Sequence, residues 1–380
     1  MKKLIYLILV LSLFFYCGPK EGKVEKIIVD GVAHIMNPEK PLKGEVLLDI
    51  EKIREINPYQ YEEVGIKMLF FARDIDGEVI LFDPNKSEAH RFNSRGEYLG
   101  SLFRKGEGPG EFPDFIGLNI FFMNNQIWAS GAMKLAKYDK NGQFLYERKL
   151  GYSPRVIVDD KRFFVRRIDR NKERRLTKIS LVNLSSDKEG KSTIVDFFQA
   201  ENLGPVIRKG NRSFSESWAT PYIKYAYDRK SEKFCVALNT EYKIYVKNLK
   251  GETSYIIEKR YKNVKVGLKD KKKLLPWALR DESLKWVLNA YPDTLVAFKE
   301  LKALPNGYLA VYRVSGPGTL EIDVFDPEGR FVYIMKAPEE VSLETAKFYN
   351  FGFAIKETQE DGLEVYAEYR IKNLPDIFRN

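Results

Sequence analysis

One turn phrase recurs along the chain and limits what it can fold into more than any other feature. It reads Phe92-Asn93-Ser94-Arg95-Gly96-Glu97-Tyr98-Leu99, then Tyr138-Asp139-Lys140-Asn141-Gly142-Gln143-Phe144-Leu145, then Phe325-Asp326-Pro327-Glu328-Gly329-Arg330-Phe331-Val332. In each copy an aromatic and an Asp or Asn end one strand, a polar turn closes on Gly, and an apolar pair starts the next strand. The Gly is needed because tight hairpin turns commonly use positive φ, where a Cβ clashes. Weaker copies lie at 182–190 and 245–251, where Gly190 and Gly251 survive but the spacing drifts. Three clean copies and two frayed ones describe a chain of hairpin modules.

A second series runs in step with the first, a polar turn followed by a short aromatic and β-branched run. Its markers are Gly77, Asn125, Lys161, Glu232, Gly307 and Gly362, separated by about 36 to 75 residues, a spacing centred near the length of a β-propeller blade. Six turns predict six blades. A sandwich of this length would be large for one domain and leaves the alternating turn types unexplained. The expected fold is all-β, a six-bladed β-propeller over residues 31–380.

The segment from Ala72-Arg73-Asp74-Ile75-Asp76-Gly77 to Gly106-Glu107-Gly108-Pro109-Gly110-Glu111-Phe112 resembles one blade of the bacterial six-bladed β-propeller family related to NHL repeats. In that family a Gly-x-Gly-Pro-Gly-Glu-Phe phrase follows the third strand. The resemblance covers positions 72–118 closely and the later blades in outline, so it implies a fold and no activity. On the residues themselves, Gly106, Gly108 and Gly110 let the chain cross from one blade to the next, while Glu111 and a buried Phe112 anchor the crossing. The competing reading is a phosphate cradle of exposed amides, but the Gly-Lys-Ser/Thr ending and following helix of a P-loop are missing. Ser315-Gly316-Pro317-Gly318 is a shorter echo, read as a hairpin loop.

At the N-terminus Lys2 and Lys3 precede thirteen residues, Leu4 to Tyr16, that are apolar except for Ser12, and Cys17 follows. This is the charged and apolar layout of an export signal, too short for the roughly 20 residues of a membrane span. The Cys after the apolar run resembles the lipobox of bacterial lipoproteins, which implies a signal peptide at 1–16, lipidation of Cys17, a tether over 17–30 and a lipid-anchored protein of the cell envelope. Cys235 then has no disulfide partner, and its apolar setting from Phe234 to Leu238 predicts a buried, inert thiol. Stability must come from a core, for which 44% hydrophobic residues with 25 Phe and 22 Tyr suffice.

The formal charge of +10 falls to +8 once Lys2 and Lys3 leave with the signal. Arg104 and Lys105, with Arg166 and Arg167, make a candidate ligand face for an anionic polysaccharide or headgroup; Lys172 to Arg175 is a further basic cluster. Lys269 to Lys273 reads as a solvated face, since it leads into helix-spaced Leu274, Leu275, Trp277, Ala278, Leu284, Val287 and Leu288. About 267–292 is therefore a helical insertion between blades four and five, with Pro276 starting or kinking one segment and Trp277 and Trp286 pinning it. Nucleic acid is not an expected partner, because the chain reads as exported and no known binding motif accompanies the charge.

Chemistry is sparse. His34 and His90 are the only histidines, so the multi-histidine metal site of NHL-type amidating lyases cannot be built. No Gly-x-Ser-x-Gly elbow occurs, and Asp74-Ile75-Asp76-Gly77 lacks the later ligands of a calcium loop. The expectation is a monomeric binding or scaffolding propeller for an envelope protein or carbohydrate, with no catalytic residue, metal ligand or cofactor. The second reading is a hydrolase or lyase acting on a carbohydrate or lactone with calcium bound in the channel. The N-terminal strand near 44–50 is expected to pair with strands from 351–371 and complete the last blade.

Overall fold

The computed structural model describes residues 22–113, 117–131, 133–170, 175–184, 192–201, 207–209, 212–214, 218–280 and 282–378. The signal stretch, Cys17, Lys172 to Arg174 and the 185–190 part of the weak turn copy lie outside them. The chain divides into two compact units, Leu47–Asn202 with Ala337–Asn380, and Met1–Val46 with Leu203–Lys336. Four short N-terminal strands, β1 (Glu25–Val29), β2 (Val32–Asn37), β3 (Glu45–Leu47) and β4 (Ile50–Ile56), each join a sheet made mainly of later chain.

The first unit holds four antiparallel sheets. Blade one is β5 (Phe70–Arg73), β6 (Val79–Asp83), β7 (Glu88–Phe92) and β8 (Tyr98–Ser101); blade two is β9 (Asn119–Met123), β10 (Gln126–Gly131), β11 (Lys134–Tyr138) and β12 (Phe144–Lys149). Blade three is β13 (Pro154–Ile157), β14 (Arg162–Arg170), β15 (Arg175–Leu184) and β16 (Ser192–Glu201). The second strands carry near-continuous apolar runs because both their faces are covered; Val79, Leu81, Ile127, Trp128 and Phe164 are all buried.

In the second unit a hairpin, β17 (Ile207–Lys209) and β18 (Arg212–Phe214), precedes blade four, β19 (Ile223–Asp228), β20 (Lys233–Leu238), β21 (Lys243–Lys247) and β22 (Thr253–Lys259). Here β2 runs parallel to β22, with Ala33 opposite Tyr255, and β1 pairs with β2, making six strands. Ordered β1 thus occupies part of the stretch read as a tether. Blade five is β23 (Phe298–Ala303), β24 (Leu309–Gly316), β25 (Thr319–Phe325) and β26 (Phe331–Lys336), with β3 on its outer edge.

The sixth sheet, back in the first unit, is β27 (Lys347–Tyr349), β28 (Gly352–Thr358) and β29 (Glu364–Ile371), and β4 completes it with Ile56 opposite Tyr366 and Ile50 opposite Ile371. The closing strand is therefore 50–56 rather than 44–50; the earlier stretch serves blade five, where the Ile334 N–H donates to the Gly44 carbonyl at 3.2 Å. Five of the six turn markers open the first hairpin of a blade. Gly362 does not: it joins β28 to β29, the second and third strands, while the first hairpin of this blade turns between Tyr349 and Gly352.

The turn phrase is one geometry used four times. Asn93, Asp139, Asn248 and Asp326 each accept two backbone N–H groups on Oδ1, and the glycines that close these turns have φ between +81° and +86°. In every copy the ladder shifts register just before the turn, at Phe92, Tyr138, Lys247 and Phe325. The copy at 248–252 is complete, so the drift seen in the sequence lay in its flanks. A neighbour docks on three of these turns. Arg54 donates to the Asn93 and Ser94 carbonyls at 3.1 and 2.8 Å, Arg91 to those of Lys140 and Asn141, and Lys233 to Pro327 at 3.0 Å.

Two short helices, α1 (Leu268–Leu274) and α2 (Trp286–Ala290), lie between blades four and five as expected, and Pro276 opens the single turn after α1. Trp277 and Trp286 pack on a cluster that includes Leu275, Leu288 and Val314 of β24. Lys271 departs from the expected solvated face. It is buried, and its ammonium donates to the Tyr291 carbonyl and to Asp293 Oδ1, both at 2.6 Å.

Candidate functional site

The Gly-Pro-Gly loop connects β8 to β9 and folds back on itself. The Gly106 N–H donates to the Phe112 carbonyl at 3.1 Å, and Phe112 is fully buried with its ring 5.0 Å from that of Phe103. The amides of a cradle are already occupied by the protein's own carboxylates. Gly108 donates to Glu111 Oε2 at 3.0 Å and Gly110 to Glu147 Oε2 at 2.9 Å. Burial works to raise the Glu147 pKa, yet the Gly110 N–H and the Lys134 ammonium at 2.9 Å outweigh it and hold the carboxyl below its ordinary value. Gly110 has φ +73°, and a Cβ there would lie 2.6 Å from the Phe144 ring. These are the needs of a chain crossing; an external anion would have to displace two carboxylates.

Arg104 and Lys105, at the start of this loop, are exposed. Arg166 and Arg167 sit on β14, where Arg166 is exposed and Arg167 lies between Asp169 at 3.8 Å and Asp196 at 3.5 Å, with Lys178 on the same two carboxylates at 3.0 Å. Among the described residues no contact joins the two pairs. Arg167 belongs to a charge ladder between neighbouring strands, the ordinary way a sheet surface is stabilised.

The histidines serve packing. His34 Nδ1 is 2.5 Å from Glu258 Oε1, and buried His90 shares Nδ1 with the Tyr98 hydroxyl at 3.1 Å and Ser101 Oγ at 3.4 Å. Burial lowers the His90 pKa to about 4. Cys235 is enclosed among Tyr255, Ile257 and Leu309, and burial pushes its thiol up to about 12, which removes it as a nucleophile. Among the described residues no three His, Cys, Asp or Glu side chains are placed to hold one metal ion.

A polar cleft lies in the second unit, where the chain leaves β22 beside the end of β24. Its volume is about 260 Å³, and it is lined by Glu39, Lys259, Arg260, Lys262, Arg313 and Ser315, with Tyr261, Val264 and Val314 behind them. Its base is a buried charge network centred on Asp323 of β25, which has no solvent exposure. Asp323 accepts from the Tyr242 hydroxyl and the Lys259 ammonium, each at 2.6 Å, and from Arg313 Nε at 3.0 Å. Arg313 also pairs with Glu321 through one terminal nitrogen. Burial lowers the Lys259 pKa, with Asp323 offsetting only part; for Arg313 burial also pulls down, but Asp323 and Glu321 prevail and raise it.

Lys259 is further held over the Phe331 ring, 3.7 Å from its centroid. Fixing a lysine and an arginine on one carboxylate this way orients them without leaving a buried charge uncompensated. The side chains of Arg260 and Lys262 are exposed and take part in no ion pair among the described residues, and Nη1 of Arg313 has no protein partner there. The cleft therefore presents three unspent cationic donor groups around a rigid floor. None of its residues was among the candidates read from sequence. The run Lys259-Arg260-Tyr261-Lys262 was the available signal, three cations in four residues; Arg313 and Asp323 reach it only through strand pairing.

Comparison with known proteins bears on the fold. Residues 61–232 match a family model described as 6-bladed beta-propeller, which spans blades one to three and the start of blade four. No curated protein matches the sequence. Among solved structures, a member of the duf4221 family from Bacteroides vulgatus is similar over 93% of this chain and 100% of its own, with 12% identity and a TM-score of 0.51. A Bacteroides fragilis protein described as exported matches over 87% and 99%, with 14% identity and a TM-score of 0.45. A gluconolactonase of Xanthomonas campestris matches over 91% and 100%, with 11% identity and a TM-score of 0.38. Six sheets of four or more strands, the motif-bearing first blade and the family match over residues 61–232 agree on one fold, a six-bladed β-propeller.

Proposed function

We propose that this propeller is an exported, lipid-anchored component of the cell envelope that binds an anionic ligand in the cleft beside Arg313 and performs no chemistry on it. The observation that carries the binding reading is the pairing of spent and unspent charge. Asp323 immobilises Lys259 and Arg313, while Arg260, Lys262 and Arg313 Nη1 remain for a ligand. Charge fixed in advance binds without the cost of ordering flexible side chains. Catalysis needs an acid, base or nucleophile at hydrogen-bond reach of a bound substrate; in the cleft Lys259 is held on Asp323 and the Tyr261 hydroxyl is spent on the Val314 carbonyl, which leaves Glu39, Ser315 and the exposed Lys262.

The anchor rests on Lys2, Lys3, the apolar run to Tyr16 and Cys17. Detergent phase separation of the expressed protein tests it. The native protein is expected in the detergent phase with a blocked, acyl-bearing Cys17 as its first residue, and Cys17→Ser in the aqueous phase, since each buried lipid CH₂ contributes about 0.8 kcal/mol. A native protein found in the aqueous phase, with another first residue, overturns the anchor and leaves the binding site untouched.

A further inference from the structure

The lining of the cleft is more selective than an anion site requires. An inorganic dianion seeks cations and N–H donors and is repelled by carboxylates. Here Glu39 lines the cleft together with Arg260 and Lys262, exposed and in no ion pair among the described residues, and Ser315, whose hydroxyl is 3.5 Å from the Thr319 carbonyl, lines it too. A carboxylate that faces a ligand is useful only if the ligand brings hydroxyl or amine protons. The remaining wall, Tyr261, Val264 and Val314, is a ring and two branched aliphatic side chains. The Tyr261 ring is fixed, because its hydroxyl donates to the Val314 carbonyl and its ring packs against that of Tyr242, centroids 5.8 Å apart and planes tilted by 55°. Such a surface matches the C–H face of a pyranose. At about 260 Å³ the cleft is below the usual size for a drug-sized ligand, about 300–1,000 Å³, so it holds one ring and not an oligomer.

We propose that the ligand is a sugar acid, a pyranose whose carboxylate lies on Arg313 Nη1, Arg260 and Lys262 and whose hydroxyls are read by Glu39 and Ser315. The proposal rests on the anion-binding reading above and deepens it. The carboxylate is planar and suits an arginine fork, and the cleft opens to solvent, so the ring is either a free sugar acid or an end residue of an acidic glycan.

Titration calorimetry on the purified, unlipidated mature protein tests this with four probes: D-glucuronate, a short oligouronate, glucose and sulfate. Glucuronate or the oligouronate is expected to bind at least tenfold more tightly than glucose and sulfate. If the oligouronate is the tighter of the two the source is a glycan end; if the monomer is, the source is a free sugar acid. Glu39→Gln, an exposed substitution that should leave the melting temperature unchanged, is expected to weaken the uronate at least threefold without weakening sulfate, whereas Lys262→Ala weakens both. Sulfate binding as tight as glucuronate overturns the sugar-acid inference and leaves the anion site standing. No binding of any anion by the native protein overturns both.

Discussion

His90 is the residue whose environment makes the sharpest prediction. It is 3% exposed, and its Nε2 faces Glu88 Oε2 across 4.0 Å with neither atom hydrogen-bonded among the described residues. Burial favours the neutral imidazole and takes the pKa from 6.5 to about 4, with Glu63 opposing weakly. Between those two values the unfolded chain holds a proton that the folded chain does not, so stability falls as pH falls from 6.5 to 4. The loss is on the order of 2 kcal/mol over that range. His90→Gln cannot titrate, and chemical denaturation at a series of pH values should show a shallower slope for it, whatever its stability at neutral pH. Equal slopes in the two proteins would mean that burial leaves the His90 pKa where it is in the unfolded chain, and a steeper slope for His90→Gln would mean a protonated imidazole paired with Glu88. Nothing in the sequence distinguished this histidine beyond its place in a strand. Its partners Tyr98 and Ser101 lie on the next strand, so its surroundings depend on the register shift at Phe92.

At the scale of elements, the turn phrase was legible because its glycine adopts positive φ in every copy and, in the copies at Gly142 and Gly329, also meets a neighbour too close for a Cβ. A Cβ on Gly329 would lie 2.9 Å from the Tyr255 ring and 3.0 Å from Ile257 Cγ1. Gly362 shares the φ of Gly329, +84°, but has nothing within 4 Å of that position. The pair separates the two requirements. Gly362→Ala is expected to cost about 1 kcal/mol, the conformational part alone, and Gly329→Ala at least about 2 kcal/mol, because overpacking adds to it. Equal losses in denaturant midpoint would show that the docking contact carries nothing. The first-hairpin turns were harder to read where another residue takes the same conformation. Glu232 has φ +51° and Asn125 +59°, and a glutamate in that role leaves no mark in a sequence. The cleft was hidden for a related reason. Arg313 and Asp323 are brought together by β24 pairing with β25, and in a chain with 31% charged residues each looks like an ordinary solvated side chain.

For the whole molecule, the number of blades was readable from spacing, while the use of the N-terminal segment was only partly so. Residues 25–56 contribute edge strands to three different sheets, β1 and β2 to blade four, β3 to blade five and β4 to blade six. Short strands of mixed polarity carry little pattern of their own, since an edge strand has one covered side. Their contributions differ, and truncation should reveal it. Starting the chain at Pro41 removes β1 and β2 and bares one edge of β22. Starting it at Pro58 also removes β3 and β4. That second cut exposes the edge of β29 and takes away Arg54, which pairs with Glu368, a side chain only 4% exposed. Arg73 remains on Glu368 at 2.9 Å and Tyr366 at 3.2 Å, but a buried carboxylate stripped of one of two cations is costly, of the order of 3–5 kcal/mol when a buried pair is broken. Burial raises the Glu368 pKa while Tyr349, Arg73 and Arg54 together lower it below its ordinary value, so the stability this group contributes is present at neutral pH and lost as pH falls through the lowered value. The chain from Pro41 is therefore expected to unfold cooperatively at a reduced midpoint, and the chain from Pro58 to lose cooperative unfolding of the unit that holds blades one, two, three and six. A Pro58 chain as stable as the Pro41 chain would show that β4 adds only an edge and that the last blade stands without it.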